Sequence, residues 1–165
     1  LLAAADSTLS LVCLTPSPVQ APHSSLVHMF DAARRQLGSP ASVFVGQMAQ
    51  DGSWELDLNA VGRALAEVES GGQPALILGT AFAFVELLDA FTCAHRPSSL
   101  LPPRVVRLTL PPGSRVLETG GYKGRSRELP KAELHRLISQ HWGVPPKPRC
   151  RIKAPIPASR PRKDR

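Results

Sequence analysis

Short apolar runs alternate with helix-patterned stretches along most of this chain, and that alternation constrains the fold more than any other feature. Residues 8–14 (TLSLVCL), 41–45 (ASVFV) and 74–78 (PALIL) read as strands. The first stops at Thr15-Pro16-Ser17-Pro18, a strong breaker. PALIL is apolar throughout, which suits a strand covered on both faces of a parallel sheet. Between the strands, apolar residues recur at helical spacing. Leu26, Met29, Phe30, Ala33 and Leu37 form one stripe behind a Ser24 or Ser25 cap. Leu58, Val61, Leu65 and Val68 form a second, opened by Asp57 and closed by Gly71-Gly72. Gly79-Thr80 leads into a third helix reaching about Ala94. Pro130 sits at the first turn of a last helix ending near Trp142-Gly143. Asp51-Gly52 marks a turn, and residues 105–110 and 115–118 are further strand candidates. The expected fold is α/β: a mainly parallel sheet with flanking helices.

Charge divides the chain in two. Residues 147–165 carry eight basic side chains against Asp164 alone, and they account for the whole net charge of +7. Residues 1–146 balance to zero. The expected organisation is a folded core over 1–146 and a basic, Pro- and Arg-rich disordered tail over 147–165. A nucleic-acid function would have to rest on that tail, because the body is not basic. Cys13, Cys93 and Cys150 are odd in number and far apart, so neither a disulfide scaffold nor a zinc site is supported. A reducing, cytoplasmic setting is expected. No apolar run is long enough to span a bilayer.

Three segments carry chemical information. Residues 117–127 (LETGGYKGRSR) read as a strand end entering a Gly-rich loop. The pair Gly120-Gly121 allows close approach to a flat ring or a phosphate. Lys123, Arg125 and Arg127 add cationic donors for phosphate oxygens, and strand ends of open α/β sheets are where ligands bind. The plain alternative is a basic surface turn. In residues 18–29 (PVQAPHSSLVHM), His23 and Ser24 suggest nucleophilic catalysis, but no carboxylate partner or G-x-S-x-G elbow accompanies them, and a helix cap explains the serines. In residues 76–91 (LILGTAFAFVELLDAF), a Gly-Thr turn enters a Phe-rich helix, which serves either as core or as the wall of an acyl pocket.

Taken as whole strings, PSPVQAPHSSLVHM, LILGTAFAFVELLDAF and LPPGSRVLETGGYKGRSRELPKAEL resemble the acyl-protein synthetase (LuxE-type) family of the adenylate-forming superfamily. The resemblance covers most of residues 8–146, in the right order. It implies a partial N-terminal lobe of an enzyme that joins a fatty carboxylate to AMP from ATP with Mg²⁺. The acyl group then passes to a protein thiol and onward to a reductase. Carried over by position, Gly120, Gly121, Tyr122, Lys123 and Arg125 fall at the nucleotide site. His23, Ser24, Gly79, Thr80 and Phe82 fall along the acyl pocket. The family's phosphate loop belongs upstream of Thr8, and its Tyr-Gly-x-Thr-Glu segment belongs after Pro146. None of the three cysteines matches its acyl-carrying Cys. The resemblance therefore implies an internal piece of a ligase that is inactive alone. A non-catalytic α/β binding module, whose basic tail contacts nucleic acid or an anionic surface, is the competing reading.

Overall fold

The computed structural model describes residues 9–92, 109–121 and 127–144. Tyr122, Lys123, Arg125, Cys93, Cys150, most of the strand candidate at 105–110 and the whole of 147–165 lie outside the described residues. The expected α/β architecture is present. Strand β1 (Ser10–Cys13) leads to helix α1 (Ser25–Leu37) and strand β2 (Val43–Phe44). A hairpin of β3 (Gly46–Met48) and β4 (Trp54–Leu56) follows, then α2 (Leu58–Gly71), β5 (Ala75–Gly79) and α3 (Ala81–Thr92). Strand β6 (Arg115–Glu118) and helix α4 (Lys131–Trp142) complete the described elements.

The four long-range strands pair in the order β2-β1-β5-β6, all parallel. The chain moves from β1 to β2 on one side, then crosses back over β1 to reach β5 on the other. Right-handed crossovers in both directions require helices on opposite faces. The side chains agree, because strand residues alternate between faces. Leu11, Cys13 and Leu78 pack with Phe30 of α1 on one face. Val12, Leu14 and Ile77 pack against α2, α3 and α4 on the other. That second face holds the larger core. Trp142 of α4 sits there with its ring 5.9 Å from Phe84 and 6.3 Å from Phe91, the latter edge-on.

Helix ends follow local chemistry. The Ser24 hydroxyl accepts from the Val27 N–H at 3.3 Å, and the Asp57 carboxylate accepts from the Ala60 N–H at 2.9 Å. Gly72 and Gly143 stop α2 and α4 in the left-handed region, at φ 64° and 68°. Two buried serines extend the ladder with side chains. Ser42 Oγ accepts from the Leu11 N–H, and Ser114 Oγ accepts from the Ala75 N–H. Each supplies an acceptor to a strand amide that would otherwise be buried without one.

The antiparallel hairpin is an addition to the expected pattern. Asp51-Gly52 is its turn: Gly52 adopts φ 77° and the Asp51 carboxylate accepts from the Ser53 N–H at 2.8 Å. Its first strand lies so close to the segment that follows β1 that a Cβ on Gly46 would stand 2.4 Å from the Thr15 carbonyl carbon. The Gly46 N–H donates to the Thr15 carbonyl at 3.0 Å. A glycine at position 46 is therefore a packing requirement.

Thr15 itself is 1% exposed, and its hydroxyl oxygen has no hydrogen-bond partner among the described residues. A buried, unpaired hydroxyl costs about 1–3 kcal/mol. Thr15→Val replaces it with a methyl of similar shape and leaves the backbone bond to Gly46 in place. We predict a gain of ~1 kcal/mol in unfolding free energy, read from the urea midpoint. A loss of stability would show that the hydroxyl has a partner in solution.

Candidate functional site

Three of the four parallel strands end at a common cleft of about 810 Å³. Its wall is built from residues 20–26 after β1, Thr80 and Phe82 after β5, and residues 119–121 after β6. Met48, Gly52, Ser53 and Trp54 of the hairpin close the fourth side. This is the carboxyl edge of the sheet, beside the reversal of strand order between β1 and β5. Backbone groups and loops of an open α/β sheet converge there, which is why such folds bind ligands at this point.

The cleft brings together residues drawn from all three of the informative segments. His23, Ser24, Thr80, Phe82, Gly120 and Gly121 all line it. His23 is exposed and Phe82 is half-buried. Ser24 Oγ is occupied as the cap of α1, so the structure gives it the capping role and not that of a nucleophile. Gly79 does not line the cleft. It is buried beneath the cleft, where a Cβ would stand 3.1 Å from both Leu14 and Phe84. Here the absence of a Cβ permits close packing of the β5–α3 junction. Arg127, expected to face a phosphate, pairs instead with Asp89 on α3. Tyr122, Lys123 and Arg125 fall outside the described residues.

The glycine turn has a definite job. Gly120 and Gly121 adopt φ 76° and 87°, where residues with a Cβ are strained. In that shape the Gly120 carbonyl accepts from the Ala81 N–H at 3.2 Å and the Gly121 carbonyl from the Phe82 N–H at 3.4 Å. Thr80 Oγ1 accepts from the Ala83 N–H at 3.2 Å. The first amides of α3 are thus satisfied by protein oxygens, and this helix start does not offer free donors to an anion. Among the described residues, a Cβ built on Gly121 meets nothing within 4 Å.

Among the described residues, charge lies behind the wall and not on it. Among the described lining residues there is no Asp, Glu, Lys or Arg, and His23 is the single titratable side chain. Behind the turn, Glu118 has its side chain only 4% exposed. Its carboxylate accepts from the Gly120 N–H, from His135 Nε2 at 3.2 Å and from Lys131 Nζ at 3.3 Å. Burial pushes this carboxyl up, but the bonds from His135, Gly120 and Lys131 outweigh burial and hold it below its ordinary value of 4.5. The opposite case is Cys13, buried at the centre of the sheet. Desolvation pushes its thiol up to about 12, so it is inert at neutral pH.

Trp54, Met48 and Thr119 complete the lining and were not anticipated. The signal for the first two was Asp51-Gly52, a hairpin turn flanked by Met48 and Trp54. Glu118 was inside the Gly-rich segment, but nothing in sequence spacing links it to Lys131 and His135. Compared with protein-family models, curated proteins and solved structures, the chain matched none.

A pH dependence follows from Glu118. Its folded pKa lies below its unfolded value, so it stabilises the fold fully above about 4.5. That contribution is lost as pH falls through the lower folded value. Glu118→Gln is expected to lower stability at pH 7 and to flatten the acid limb of stability against pH below 4.5. Urea unfolding at several pH values tests this, and parallel acid limbs for the two proteins would refute it.

Proposed function

We propose that the cleft holds an adenine nucleotide and an acyl carboxylate, and that the protein is the nucleotide- and acyl-binding part of an ATP-dependent acyl-activating ligase of the acyl-protein synthetase kind. One observation carries this reading. Residues from three segments, at 23–24, 80–82 and 120–121, converge on one cleft at the carboxyl edge of a parallel sheet. The family resemblance assigns each of these segments to the nucleotide or the acyl side. The volume of about 810 Å³ suits a small-molecule ligand of adenylate size.

The division of labour follows from the lining. The open face at Gly121 takes the flat base, and Phe82, Met48 and Leu26 supply apolar surface for an acyl chain. In the reaction, a carboxylate oxygen attacks the α-phosphorus of ATP. A P–O bond to pyrophosphate breaks, and the acyl group then leaves AMP for a thiol. Cys13 is not that thiol, since it is buried and protonated. The acceptor in this reading is a thiol of a partner protein, which passes the acyl group to a reductase.

Mg²⁺ does not fit the described residues. No group of three or more His, Cys, Asp or Glu is arranged to hold a metal among them, and the described lining offers no carboxylate. Positioning a triphosphate needs cations or a metal at the phosphates. The described cleft thus fits a product-like acyl-adenylate, and its described residues perform no adenylation step.

Calorimetric titration of the full chain with AMP and with a non-hydrolysable acyl-sulfamoyl adenosine tests the proposal. The acyl compound should bind more tightly than AMP. Phe82→Ala should weaken it on the order of tenfold, about 1.4 kcal/mol, with little change for AMP. Release of pyrophosphate from ATP by the chain alone is expected to be undetectable. Failure of both compounds to bind would remove the reading. Salt-sensitive DNA binding indifferent to Phe82→Ala would favour the binding-module alternative.

A further inference from the structure

We propose that Glu118 is a positioning residue that couples the start of α4 to the cleft through the glycine turn. The inference rests on the cleft being a ligand site only for its affinity measurement. The coupling itself stands on a continuous hydrogen-bonded path. Lys131 and His135, one turn apart on α4, both reach Glu118 Oε2. Glu118 Oε1 accepts from the Gly120 N–H. The Gly120 and Gly121 carbonyls accept from the Ala81 and Phe82 amides at the start of α3. Thr119 closes the path on its other side: its N–H and its hydroxyl both donate to the Gly79 carbonyl, at 3.1 and 3.3 Å.

Chemistry makes the carboxylate hard to replace. With partners on both oxygens, its plane is fixed, and a fixed plane fixes the Gly120 amide. The turn needs such a restraint, because two consecutive glycines at positive φ have little preference of their own for this shape. Removing one partner from a buried carboxylate leaves charge uncompensated, which is costly. The two oxygens also do different work, so substitutions separate them. Glutamine keeps an acceptor for Gly120, but its amide nitrogen cannot accept from Lys131. Alanine loses both arms.

The test measures amide hydrogen exchange on the full chain by NMR, at Gly120, Ala81 and Phe82, with Val61 in α2 as the reference for global opening. Glu118→Ala should speed exchange at the three cleft amides about tenfold or more relative to Val61. Glu118→Gln should hold Gly120 within about threefold of the natural protein. The double variant Lys131→Met, His135→Phe, which leaves the turn untouched, should speed Gly120 and Ala81 by about threefold or more. AMP affinity should fall in step with exchange in Glu118→Ala and be rescued in Glu118→Gln. Natural rates at Gly120, Ala81 and Phe82 in Glu118→Ala would overturn the proposal. So would a double variant with unchanged rates, because the path would then stop at Glu118. Unchanged AMP affinity in Glu118→Ala, alongside lost protection, would overturn the positioning role. If AMP does not bind the natural protein, the functional reading falls and the exchange rates alone decide the coupling.

Discussion

The parallel pairing of β1 with β5 organises the molecule. Ser10–Cys13 lies in register with residues 75–78, and these two strands form the centre of the sheet. Every side chain in the pair is committed to one face or the other. Leu11, Cys13 and Leu78 go to α1, whereas Val12 and Ile77 go to the helices opposite. The strand order reverses at this same pair, so the loops leaving it diverge and open a space between them. Core and cleft are two consequences of one ladder.

The cleft inherits its character from how its walls are tied down. The loop after β1 is fixed by the cap of α1, the hairpin by the close contact of Gly46 with Thr15, and the glycine turn by the start of α3. Backbone polar groups at the edges are consumed by these ties. What faces inward is accordingly apolar or weakly polar, with His23 the one titratable group among the described lining residues. Charges sit one layer back, in the Glu118 cluster with Lys131 and His135 and in the pair of Arg127 with Asp89.

Much of the fold was legible because it depends on local chemistry. Ser24, Asp57, Gly72 and Gly143 each mark a helix end through a hydrogen bond or a backbone angle available within a few residues. The apolar run around Leu76–Leu78 announced a strand covered on both faces, and it is the inner strand β5. The hairpin was missed because its strands have three residues each, too few to show a period, and only its Asp-Gly turn stood out. The packing role of Gly79 was not legible for a different reason. A glycine at a strand end serves equally for ligand access or for close packing, and only the positions of Leu14 and Phe84 distinguish the two. Arg127 likewise could face a phosphate or a neighbouring helix until Asp89 was located.

The sequence by itself determined most of the segments that become strands and helices, where most helices stop, and that the main sheet is parallel. These follow from hydrophobic period, capping and breakers, which act over a few residues. Only the tertiary structure decided that positions 23, 80, 82 and 120 share a wall, that Gly79 lies under it, and that Glu118 links α4 to the glycine turn. Those outcomes depend on strand order and on distances between residues far apart in the chain. No local pattern encodes them; they are set when the faces of the sheet are buried and the loops at its carboxyl edge are brought together.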